Sequence, residues 1–122
     1  MELTIDGKVF KFVAGIGFMR KANKLVKQKI ENSDVYKEVG LQYLVAGLID
    51  GDIEDVINAL DFMNEGMEPR LTRKEIERYI EDGNTDIETL FTEVLDFLKN
   101  ANVSKKVYRD LMERLAKMKV QQ

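Results

Sequence analysis

Residues 2–13 read Glu2-Leu3-Thr4-Ile5-Asp6-Gly7-Lys8-Val9-Phe10-Lys11-Phe12-Val13, and this stretch decides the fold. Two short alternating runs flank an Asp-Gly pair, which suits the two positive-φ positions of a type I′ turn. The pattern predicts a two-stranded antiparallel hairpin over 2–13. Leu3, Ile5, Phe10 and Phe12 are expected to divide between a core-facing and an outer face. Two strands alone are marginal in water, so the hairpin must pack on helices or extend a neighbour's sheet. Everything after it reads as helix.

Gly15-Ile16-Gly17 breaks the second strand. Phe18, Ala22, Leu25, Val26 and Ile30 then follow helical spacing and predict a helix over 18–30, with Lys21, Lys24, Lys27 and Lys29 covering the rest. Asn32-Ser33-Asp34 reads as a stop and a new N-cap. The next helix, over 35–49, is apolar almost all round, which predicts the centre of the domain, with Leu44 and Leu48 buried. Gly40 and Gly47 lie on nearly one face of it, where a neighbouring helix could approach closely. Asp50-Gly51-Asp52 closes that helix and caps the next, over 53–64. Thr72-Arg73-Lys74-Glu75 is a capping box opening a helix over 72–82 that stops at Gly83. Thr85-Asp86-Ile87-Glu88 reads as a second box, before a helix over 86–99. Ser104 caps a last helix over 104–119, whose Val107, Leu111, Leu115 and Met118 form one stripe with Tyr108 and Met112 alongside. The expected fold is mainly α: one domain over 1–122, with five or six helices behind an N-terminal two-stranded β-hairpin.

The chain holds no cysteine, histidine or tryptophan. The commonest general base, the commonest transition-metal ligand and all thiolate chemistry are thereby removed. Ser33 and Ser104 are the only serines, and neither lies in a Gly-x-Ser-x-Gly elbow. Asp82-x-Asn84-x-Asp86 with Glu93 imitates a calcium loop, but Ile87 stands where the sharp turn needs glycine. Gly15-x-Gly17 lacks the third glycine and the βαβ unit of a dinucleotide site. The reading is a non-enzyme, with no catalytic, cofactor-binding or metal-binding residues. No apolar run approaches a membrane span, and Met1-Glu2-Leu3-Thr4 lacks the pattern of a signal peptide.

The net charge of −3 conceals three blocks. Residues 1–33 carry seven basic and three acidic groups, residues 34–103 six and seventeen, and residues 104–122 six and two. Such a pattern can steer a partner or promote head-to-tail self-association; it also arises when each helix simply keeps a solvated face. The acidic middle would repel phosphate, which argues against a nucleic-acid partner.

Taken in order, Leu3-Thr4-Ile5-Asp6-Gly7-Lys8, Gly15-Ile16-Gly17-Phe18, Leu71-Thr72-Arg73-Lys74-Glu75-Ile76-Glu77 and Asp86-Ile87-Glu88-Thr89-Leu90-Phe91-Thr92-Glu93-Val94-Leu95 resemble the tail assembly chaperones of long-tailed bacteriophages that infect Gram-positive bacteria. The resemblance implies a non-enzymatic protein of the host cytoplasm that is absent from the mature virion. It would bind the tape measure protein and recruit tail tube subunits during tail assembly, with no cofactor and no membrane. It also implies that this chain is the shorter of two forms that many members make by translational frameshifting. The alternative reading is a small helical regulatory or DNA-binding protein of prophage origin. On the last helix, Tyr108, Leu111, Met112 and Leu115 are the candidate contacts, for self-association or for the tape measure; the same stripe could instead close the core.

Overall fold

Asp6 and Gly7 take φ of 52° and 77°, the two left-handed residues that the first turn requires. They join β1 (Glu2–Ile5) to β2 (Lys8–Lys11) in antiparallel register, with Leu3 opposite Phe10. In this computed structural model, which describes residues 1–121, Leu3, Ile5, Phe10 and Phe12 are all buried. They do not divide between two faces. Leu3 and Ile5 share one parity of β1, and Leu3 pairs directly with Phe10, so alternation puts all four on the same side. Thr4 and its partner Val9 point outward.

Behind the hairpin come α1 (Ile16–Asn23), a second hairpin of β3 (Lys27–Lys29) and β4 (Tyr36–Glu38), then α2 (Gly40–Asp50), α3 (Ile53–Asn64), α4 (Arg73–Glu81), α5 (Ile87–Asn100) and α6 (Lys105–Gln121). The second hairpin corrects the sequence reading. The helix expected over 18–30 ends at Asn23, and the one expected over 35–49 begins only at Gly40. Val26 and Ile30 fit a period of two as well as a helical period. Around them Val35, Tyr36 and Val39 favour strand, while Asn32 turns the chain at φ 61°. Ser33, read as part of a cap, closes this turn: its hydroxyl donates to Ile30 O at 2.9 Å and accepts from Val35 N at 3.2 Å. The hairpin pairs Lys27 with Glu38 and Lys29 with Tyr36.

Helix α2 is the hub, touching α1, α3, α5 and α6, with Leu41, Leu44, Val45 and Leu48 buried. It is not buried on every side, for Gln42 and Tyr43 are exposed. Both of its glycines admit a neighbour. A Cβ on Gly40 would lie 2.0 Å from the carbonyl oxygen of Ala22, and one on Gly47 would run into the Asp55 carboxylate. Gly51, at φ 79°, ends α2 in the left-handed cap, and the Asp52 side chain accepts from Glu54 N at 2.9 Å to start α3.

The capping box of α4 is present as expected, between Thr72 and Glu75. The second box is not. Asp86 caps α5 through Thr89 N, and Thr85 turns away to donate its hydroxyl to Tyr79 O at 2.6 Å. Ser104 precedes α6, but its hydroxyl donates backward to Leu98 O at 2.5 Å, bonding the end of α5.

Besides Ser104, the Asn64 side chain sits fully inside. The Asn64 amide nitrogen donates to Lys11 O at 3.0 Å and to Pro69 O at 3.3 Å. Its oxygen accepts from Leu71 N at 2.6 Å and from the Arg70 guanidinium at 2.9 Å. Arg70 and Arg73 both grip Asp61, at 2.6 and 3.0 Å. Strand β2, the end of α3 and the loop to α4 are thus tied at one point. Asn64→Leu keeps the branched shape but orphans buried backbone groups at about 1–3 kcal/mol each, so urea denaturation should show a loss of about 3 kcal/mol.

Asp55 sits against Gly47, and burial, reinforced by the charges of Asp52 and Glu54, pushes its carboxyl from 3.8 up to about 6. The fold therefore holds a proton that the unfolded chain releases, and this contribution to stability fades as pH rises from about 4 through 6. Asp55→Asn should raise the melting temperature at about pH 7 and flatten its dependence between about pH 4 and 6. An unchanged pH profile in thermal melts would contradict this.

Candidate partner-binding surface

Helix α6 is joined to the body by its first half. Val103, Val107, Tyr108 and Leu111 pack against the core, next to α2 and α5. Beyond Leu111 every residue from Met112 to Lys119 is exposed. Met112, Leu115 and Met118 have relative exposures of 41, 36 and 56%, although their spacing continues the stripe that buries Val107 and Leu111. Of the four candidates named from sequence, Tyr108 and Leu111 are half-buried in the body, and Met112 and Leu115 face solvent. Core closure and surface exposure therefore occupy successive halves of one helix.

The flanks of this stripe are basic. Lys106 is paired with Asp110 at 2.7 Å, and that hydrogen bond holds the Asp110 carboxyl below its usual range. Two shallow grooves border α6. One, of about 490 Å³, runs over Tyr108, Met112 and Ala116 between Lys99, Lys105 and Arg109. The other lies between Gln28 of β3, Gln42, Tyr43 and Ala46 of α2, and Leu111 and Arg114 of α6. The second hairpin and α6 thus stand on either side of Tyr43.

The sequence reading missed this arm and the exposure of Tyr43. All six strand residues of β3 and β4 are exposed, and Ile30, Val35 and Tyr36 are 46, 57 and 63% accessible. Cross-strand partners share a face, so Gln28, Lys37, Ile30 and Val35 lie on one side of the arm. The available signal was the run of β-branched residues either side of Asn32-Ser33-Asp34. Among the described residues, no group of three or more His, Cys, Asp or Glu side chains is placed to hold a metal ion, and no helix is long and apolar enough to cross a membrane.

A family model described as phage tail assembly chaperone protein, TAC, matches residues 2–113. No curated protein and no solved structure matches the chain. The matched span includes both hairpins and the docked half of α6, and stops before Leu115.

Exposed and buried halves of α6 should respond differently to substitution. Leu115→Ser with Met118→Ser should change stability by less than about 0.5 kcal/mol. Leu111→Ala should cost roughly 1–2 kcal/mol, as a half-buried leucine. Equal losses in denaturant melts would mean that the tip of α6 is part of the core.

Proposed function

Because the chain belongs to the phage tail assembly chaperone family, we propose that it binds the tape measure protein and brings tail tube subunits to it during tail assembly. It does so without catalysis, in the cytoplasm of the bacterial host, and it is not retained in the mature virion. The observation that carries this reading is the apolar stripe on the free half of α6, at Met112, Leu115 and Met118.

A long helical protein awaiting enclosure exposes apolar stripes that would aggregate. A helix presenting its own stripe can lie against such a segment side by side, meeting it through residues spaced three and four apart. Methionines suit this work, since an unbranched thioether adapts to many similar but unequal segments. Each contact is small, so coverage arises from many copies along the target, and release needs no large barrier to be crossed at once. The family supports this reading over a DNA-binding regulator.

Co-expression tests it. A tape measure fragment should remain in the supernatant with the intact chain and pellet with the Leu115→Ser, Met118→Ser double variant, while circular dichroism shows that variant folded. If the variant keeps the fragment soluble, α6 is not the binding element.

A further inference from the structure

We propose that the cleft between α1 and the end of α3 takes an extended acidic peptide of a partner protein, with a large apolar side chain over Gly17 and carboxylates reaching Arg20 and Lys24.

The cleft has a volume of about 450 Å³, within the ordinary range of a ligand site. Its lining is apolar away from α1: Met63 is buried, Phe62 and Met67 are half-buried, and Val13 is exposed. Helix α1 contributes Gly17, Arg20, Lys21 and Lys24, the three- and four-residue spacing of a single helix face. Two glycines keep the cleft open. Neither Gly15 nor Gly17 takes a positive φ, so the backbone conformation does not call for glycine at either place. A Cβ on Gly17 would meet nothing within 4 Å, and one on Gly15 would meet only Val13 Cγ1 at 3.8 Å. Glycine is a poor helix former, yet it stands inside α1 on the face that borders the cleft.

The charges along this face select the occupant. Four charged residues line the cleft: Arg20, Lys21, Lys24 and Glu65. Glu65 pairs with Lys21, whose ammonium also stands 5.5 Å from the centre of the Phe62 ring. Glu68 follows in the loop but does not line the cleft. Arg20 and Lys24 are exposed, and among the described residues neither takes part in an ion pair. An apolar cleft with two unpaired cations along one wall complements an apolar side chain followed by carboxylates. A single-stranded nucleic acid would need an open aromatic face to stack on, and Phe62 is already engaged by Lys21. At 1.5 Å per helical residue, Arg20 and Lys24 lie about 5 and 10 Å beyond Gly17. An extended peptide covers that length in about three residues, so the carboxylates belong within three positions of the apolar residue. None of the residues lining this cleft borders either groove beside α6, so the failure of this proposal and that of tape measure binding are separately visible.

Nuclear magnetic resonance on the intact, nitrogen-15-labelled chain tests this, with the unlabelled peptide acetyl-Leu-Phe-Glu-Asp-Glu-amide as probe. Amide shifts should saturate with a dissociation constant below about 1 mM, and they should centre on residues 13–24 and 62–67. Affinity should fall about tenfold in the Arg20→Glu, Lys24→Glu double variant and weaken about as much in 0.5 M salt. A similar loss is expected in Gly17→Phe, which fills the open space and leaves both cations in place. All three positions are exposed, and circular dichroism establishes that both variants fold. The peptide acetyl-Leu-Phe-Lys-Asn-Lys-amide should not bind. The proposal is overturned if the shifts fail to saturate or centre elsewhere, if the lysine peptide binds as well, or if either variant binds undiminished. It is also overturned if an oligothymidylate displaces the acidic peptide at lower concentration, which would make the cleft a nucleic-acid site.

Discussion

The side-chain amide of Asn64 is the point on which the rest of this structure rests. A buried primary amide must have its donors and acceptors met or it costs more than an apolar residue of the same size. Here it is met from three directions at once, by β2, by the loop at Pro69 and by Leu71 with Arg70. Hydrophobic burial alone would let the first hairpin slide over α3, since apolar contact is non-directional. Four hydrogen bonds allow one register. Asp61, held by Arg70 and Arg73, then sets the direction in which α4 leaves.

Much of this was legible in the chain. The Asp6-Gly7 turn, the Asp52 cap and the Thr72–Glu75 box are local chemistry, in which side chain and backbone group lie within a few residues, and each is found where the residues place it. Two kinds of feature were not legible. Over residues 24–39 the apolar residues satisfied two periods, and the choice between them is made by the start of α2. There Gly40 lets α1 come within van der Waals contact and the Asn23 side chain accepts from Leu41 N at 3.0 Å. The second kind is long-range. Asn64 reads as an ordinary helix end, because its partner at Lys11 is far away in sequence. Ser104 reads as a cap, because nothing nearby shows that Leu98 O competes for its hydroxyl.

The candidate surface shows the same division. The stripe on the last helix was visible as periodicity, but where the body ends along it depends on how far α2 and α5 reach. Leu111 meets α2 beside Tyr43, and beyond it no element stands close enough to cover Leu115 or Met118. The basic flanks were visible too, as blocks of charge. That the exposed Tyr43 lies in a groove between Gln28 and Arg114 follows from the second hairpin, which brings Gln28 beside α6.

The single attachment of α6 has a kinetic meaning. From Met112 to Lys119 the helix has solvent all round, so its backbone hydrogen bonds are guarded by no packing and open at small cost compared with those of α2. Whatever docks there must hold closed two turns that otherwise open readily, and that cost recurs at every encounter. A segment of this kind gives short residence times even when its contact area is ample, because the entropy lost on capture is recovered on departure. Rapid exchange at the tip can therefore coexist with a body that stays folded.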